Sequence, residues 1–208
     1  MRSTDSPDAD GFLDMRISPK YRVRHWVGLD LQTEEGWKKG IDIFEDRMRG
    51  RFLDMVRRIE RAEFAGFAIL ALDCLLAETL QQFKDGLAES PSGKGANEAF
   101  FVRFLTHSRF RRFFDRAKAG MFYKQIRCGI LHQAEVKENS RVVIDSNTPL
   151  AQTTQNGRGL VINRRLFHQE LVASYDDYLA DLRRPSNTRL RQRFRKKMDH
   201  ICRVPAAS

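Results

Sequence analysis

The chain has 208 residues, of which 41% are hydrophobic and 31% charged, and its formal net charge is +10. That length suits one hydrophobic core rather than two, and the composition is that of a folded soluble protein, which excludes disordered and membrane-embedded classes. Three cysteines, Cys74, Cys128 and Cys202, form no C-x-x-C pair, which argues against a disulfide framework or a zinc site and fits a reducing cytoplasm.

No apolar run follows the first residues, so no secretory signal is expected. The longest apolar stretch, Phe64 to Leu80, is interrupted by Asp73 and Glu78 and reads as a buried helix, too short and polar to span a bilayer. Charge is distributed unevenly: residues 41 to 90 carry 7 basic and 10 acidic side chains, whereas residues 91 to 208 carry 23 and 10. A positive field of that kind draws polyanions and suits nucleic acid.

Residues 1 to 19 lack periodicity and are expected to form a flexible tail, with 20 to 202 as one helical domain and 203 to 208 as a second tail. Alternation of Tyr21, Val23, Val27, Leu29 and Leu31 predicts a strand, with His25 at its edge. Thr33 before Glu34 and Glu35 marks a helix start, since acidic side chains suit the positive end of the helix dipole. Ile41, Phe44, Met48, Phe52, Met55 and Ile59 recur at steps of three or four and predict an amphipathic helix. Phe64 to Phe83 is apolar nearly all round and predicts a central helix, closed by the loop from Glu89 to Gly95.

A third helix is expected from Phe100, and Met121 to Val136 forms a further one. Arg141 to Asp145 and Gly159 to Asn163 are β-branched runs that predict a hairpin with a long loop. Leu166 to Leu182 and residues 187 to 202 complete the helices, the last rich in Arg and Lys. The expected fold is therefore mainly α, a helical bundle with a small β-hairpin and a basic C-terminal helix.

The run Phe122-Tyr123-Lys124-Gln125-Ile126-Arg127-Cys128-Gly129-Ile130-Leu131-His132-Gln133-Ala134-Glu135 carries the chemistry. Arg127 offers a permanently charged planar fork to a phosphate, and His132 is of the residue type that takes and gives a proton near neutrality. Arg, four residues, then His, within a helix-rich context, resembles the signature of the HEPN superfamily (higher eukaryotes and prokaryotes nucleotide-binding). The similarity covers roughly residues 40 to 183, with Cys128 standing where the family usually has Asn, Asp or His. Ala134 occupies the place of a tyrosine found in one toxin subgroup.

The resemblance implies a HEPN-like bundle and a metal-independent endoribonuclease. Such an enzyme cleaves single-stranded RNA to 2′,3′-cyclic phosphate and 5′-hydroxyl ends, with Arg127 and His132 catalytic and no cofactor. It further implies a prokaryotic toxin or abortive-infection effector, with a cognate antitoxin or regulatory protein as a partner. Five residues of ideal helix turn the chain by about 140°, so one helix aims both side chains at one phosphate only awkwardly. The family's face-to-face motif helices imply a homodimer with a composite site.

Arg109, Arg112, Arg116 and Lys124 are candidate phosphate contacts. Phe110, Phe113 and Phe114 between them have helical spacing that favours core packing over base stacking. Asp73 and Glu135 are candidates for orienting a motif side chain. His132 and Glu135 stand three apart, with only His107 as a further ligand, which does not make a metal centre. Three other readings stay open. Arg127 could sit in a surface ion pair with Glu135 or Glu138 while His132 caps or packs. The chain could be a non-catalytic RNA- or nucleotide-binding module or scaffold. The C-terminal helix could bind DNA, although no helix-turn-helix spacing accompanies it.

Overall fold

A computed structural model describes residues 11–204. Helix α1 spans Val23–Val27 and α2 spans Glu34–Met48, which runs through a π-helical turn, Arg49–Leu53, into α3, Asp54–Ile59. Helix α4, Gly66–Asp85, is followed by α5, Ala96–His107, a 3-10 turn at Arg109–Arg112, and α6, Arg116–Met121. A second π-helical turn, Phe122–Arg127, leads directly into α7, Cys128–Gln133. Strands β1 (Arg141–Val143), β2 (Ala151–Thr153) and β3 (Leu160–Asn163) precede α8, Arg164–Arg183, and α9, Thr188–Ile201. The fold is mainly α with a small sheet, as the sequence pattern requires.

Local rules account for most boundaries. Thr33 caps α2 by accepting from the Gly36 N–H, with Glu34 and Glu35 in the first turn. Gly86 ends α4 in the left-handed conformation, φ 68°, where the Arg193 backbone lies so close that a Cβ would meet it at 2.9 Å. Asn163 caps α8 by accepting from the Leu166 N–H.

Helix α4 is central: Leu70, Leu76, Ala77, Leu80 and Phe83 are all buried, and α2, α5, α8 and α9 contribute to the core around them, while Ile69 packs with Val56 and Ala65 in a second, smaller cluster. By length and composition α4 is long and apolar enough to cross a membrane, and half of its apolar window is buried inside the fold. The expectation that this segment was too short for a span is thereby corrected, because the helix continues to Asp85.

Three further expectations are corrected. The segment from Tyr21 to Leu31 is not a strand: Val23 and Trp26, three apart, turn to the core, and the Trp26 indole donates to Asp199 at 2.8 Å. Within the expected tail, Phe12 and Leu13 pack against the core, Ile17 is buried, and the Ser18 hydroxyl donates to Asp46 at 2.7 Å. Residues 1–10 and 205–208 of the expected tails lie outside the described residues. The two β-branched runs do not form a hairpin. Ala151–Thr153 supplies a third strand, antiparallel to β3, while β1 pairs with β3 in parallel, giving the order β1-β3-β2. All four residues of β3 are buried, which explains why its apolar run is continuous rather than alternating.

Candidate active site

The motif helix is held by aromatic packing on its inner face. Phe122 is fully buried, with its ring stacked at 5.0 Å from Phe167 and 5.8 Å from Phe101. Pairs of this kind add about 0.5–1.5 kcal/mol beyond the area they bury. Phe110 and Phe114 are core residues, which removes them as base platforms, while Arg112 lies over the half-buried Phe113 ring.

Local backbone geometry then shapes the outer face. The Cys128 N–H reaches back five residues to the Tyr123 carbonyl, the mark of a π turn, a feature found often at functional sites. After His132 the chain reverses sharply, with Ala134 left-handed at φ 53°, a conformation costing a non-glycine residue about 1–2 kcal/mol. The returning strand of chain passes so near Gly129 that a Cβ there would lie 2.3 Å from the Glu135 carbonyl oxygen. Only glycine admits that approach.

The structure brings Arg127 and His132 together within one chain. Arg127 Nη1 lies 3.4 Å from His132 Nε2. The expectation that one helix separates them is corrected, since it counted backbone rotation and not the length of an arginine side chain. Dimerisation is thus not needed to bring this arginine to this histidine.

Behind the pair stands Glu78, from α4, whose Oε1 accepts from Arg127 Nε at 3.0 Å and lies 2.8 Å from Nη2. Both partners are mostly shielded, with 14% and 13% of their side chains exposed, so the pair is held more firmly than a surface bridge. Burial draws the Arg127 pKa down, and Glu78, Tyr123 and Cys128 together lift it above its ordinary value, so the guanidinium stays charged. The Tyr123 ring lies 5.4 Å from the guanidinium, and burial raises its hydroxyl pKa. His132 itself is exposed.

Glu78 is the residue that sequence reading missed. Its signal was present, as a carboxylate in an apolar helix, but only the crossing of α4 with the motif helix reveals its partner. The two carboxylates expected in its role are elsewhere. Asp73 bonds His168 at 2.7 Å, and Glu135 accepts from its own neighbour's N–H at Val136. Arg127 pairs with neither Glu135 nor Glu138.

Of the candidate phosphate contacts, Arg109 donates to Glu170 at 2.7 Å and to Asp177 at 3.2 Å, and Arg112 donates to Glu170 at 2.6 Å. Lys124 pairs with Glu98 at 3.0 Å, and Arg116 is exposed with no ion pair among the described residues. The basic C-terminal helix is an integral part of the bundle. Arg191 is buried and bidentate to Glu34, Phe194 and Met198 are in the core, and Arg193 donates to the Lys84 carbonyl.

Among the described residues no three His, Cys, Asp or Glu side chains gather into a metal-binding group. Cys74 and Cys202 are buried, and Cys128 is half-buried beside Arg127. Chemically, the arrangement joins a fixed cation, a solvent-facing imidazole and a carboxylate that orients the cation. Comparison with protein-family models, with curated proteins and with solved structures finds no match to this chain.

Proposed function

We propose that this chain is a metal-independent endoribonuclease of the HEPN type that cleaves single-stranded RNA. The observation that carries this reading is the approach of Arg127 to His132 at 3.4 Å, with Glu78 holding the arginine from behind. The 2′-hydroxyl gives its proton to His132 as its oxygen bonds to phosphorus. The bond to the 5′-oxygen breaks, and that oxygen takes up a proton. Arg127 offers its fork to the phosphoryl oxygens where negative charge develops, and each effect is of the order of 10²- to 10⁴-fold. The products are a 2′,3′-cyclic phosphate and a 5′-hydroxyl, and no cofactor enters.

A homodimer with a shared cleft belongs to this reading, and an apolar stripe supports it. Along α4 the exposed Ala68 and Leu75 flank the partly buried Leu72 at helical spacing, with Glu78 the next residue in the series, and Phe64 lies in the turn just before the helix. Phe64 is 98% exposed in a left-handed conformation, φ 60°, and Leu75 is 40% exposed. A strained, fully exposed phenylalanine gains most when a second surface covers it. A second copy would bring a second histidine to protonate the leaving 5′-oxygen. The role proposed for such an enzyme is that of a cytoplasmic toxin or abortive-infection effector, restrained by a cognate antitoxin or regulatory protein.

Incubating the purified protein with total RNA in EDTA and sequencing the cut ends tests the reading. Discrete cuts bearing cyclic phosphate are expected. A second reading, a non-catalytic RNA- or nucleotide-binding module, draws on the Glu78 pairing, because an arginine whose charge is already balanced by a carboxylate attracts a phosphate less strongly. Binding without cleavage in the same experiment selects it.

A further inference from the structure

A cavity of about 300 Å³ opens between the loop that precedes α4, the residue after β1 and the start of α8, and neither Arg127 nor His132 lines it. Val56 and Ile69 give it apolar walls, Arg61, Arg164 and Arg165 line it, and His168 faces it. Its volume lies at the small end of the range for ligand sites.

His168 is not a packed core histidine. Its Nδ1 lies 2.7 Å from Asp73 Oδ1, and Asp73 is only 1% exposed, with its Oδ2 lacking any hydrogen-bond partner. Burying a carboxylate is costly, and the cost is met here by fixing one face of an imidazole. With Nδ1 engaged by the carboxylate, Nε2 is left for the cavity.

Three arginines line the cavity against one carboxylate. Arg61, Arg164 and Arg165 make no ion pair among the described residues, and Arg164 is steadied by donating to the Glu60 carbonyl at 3.4 Å. Glu60 is the one carboxylate among the residues lining the cavity. Arg164 and Arg165 also occupy the first turn of the 20-residue α8, whose dipole adds positive potential at that end. Three guanidinium groups around so small a space repel one another until a polyvalent anion joins them.

We infer that this cavity binds a phosphate monoester, the terminal group of a nucleotide or of an RNA end. With its Nδ1–H on Asp73, His168 meets the phosphate through Nε2, donating as an imidazolium or accepting from the monoester's own P–OH as a neutral ring, and Arg61, Arg164 and Arg165 supply charge and N–H donors. The site does not rest on the ribonuclease reading, since Arg127 and His132 take no part in it.

Calorimetric titration of the full chain at fixed ionic strength tests it, with inorganic phosphate, a nucleoside 5′-monophosphate, and a tetranucleotide carrying either a 5′-phosphate or a 5′-hydroxyl. Carrying the tetranucleotide arms in an Arg127→Ala background silences the other site. Binding of the phosphorylated probes is expected, with about tenfold weakening in His168→Gln and a comparable loss in Arg165→Ala. Arg165 is exposed, so its truncation leaves the fold in place. A mononucleotide that binds as tightly as the oligonucleotide identifies a free small ligand, and a tighter oligonucleotide identifies an RNA end; both uphold the site. No binding of any phosphorylated probe to the wild-type chain overturns it, as does unchanged affinity in both His168→Gln and Arg165→Ala.

Discussion

Glu78 binds Arg127 through both Nε and Nη2, at 3.0 and 2.8 Å, and so joins the central helix to the segment that carries His132. A guanidinium held on two nitrogens keeps its remaining donors aimed in one direction, which is what a phosphate requires of it.

Removing either chemical group should remove cleavage. Arg127→Ala and His132→Ala are each expected to reduce the cleavage rate of end-labelled single-stranded RNA by at least about 10²-fold, while EDTA leaves the wild-type rate unchanged. Arg127→Lys should fail nearly as badly, since an ammonium lacks the planar fork. Wild-type rates in either alanine variant would falsify the assigned roles.

Glu78→Gln keeps the volume and removes the charge. The mostly shielded guanidinium then loses its counter-charge, and a stability loss of about 1–3 kcal/mol is expected in urea unfolding. Cleavage should fall by about tenfold, and combining Glu78→Gln with Arg127→Ala should cost no more activity than Arg127→Ala alone. Full additivity of the two losses would show that Glu78 acts on something other than Arg127.

The apolar stripe supplies the dimer test. Leu75→Asp places a charge where a second copy would pack, at a position already 40% exposed, so the monomer should stay folded by circular dichroism. Light scattering is expected to report a dimer for the wild-type chain and a monomer for the variant, with cleavage reduced at least about tenfold. A wild-type monomer at micromolar concentration that still cleaves RNA would remove the shared cleft from the proposal.

Arg116 and Arg109 should differ in their effect on RNA affinity. Arg116 has no carboxylate partner among the described residues, whereas Arg109 is shared between Glu170 and Asp177. Losing one true phosphate contact lowers the slope of log affinity against log salt by about 1. Arg116→Ala is expected to show that change and Arg109→Ala a smaller one. Slopes unchanged from wild type in both variants would place the RNA path off this face.

Alkaline pH should destabilise the fold through its buried thiols. Burial raises Cys202 from 9.0 to about 12 and pushes Cys74 well up. Between those values the unfolded thiol has lost its proton while the folded one keeps it, so the folded state binds more protons and stability falls as pH rises. The melting temperature of wild type should therefore drop from pH 9 upward, and Cys202→Ala should drop less steeply over the same interval. Parallel curves would assign the alkaline loss to other groups.

The sequence by itself determined the mainly helical class, the cap at Thr33, the central place of the Phe64 to Phe83 segment and the spacing of Arg127 and His132, while their approach at 3.4 Å came from the arginine's side-chain reach. Each of these is written in periodicity or in residues near one another in the chain, where backbone geometry alone makes the connection. Only the tertiary structure decided what lies opposite. Glu78 and Arg127 are 49 positions apart, Asp73 and His168 95 apart, and Arg191 and Glu34 157 apart, and no local rule selects among the many acids in reach. The same reason explains the sheet. Two β-branched runs specify strands but not partners, and the parallel pairing of β1 with β3 depends on a third strand whose few half-polar residues carry almost no signal of their own.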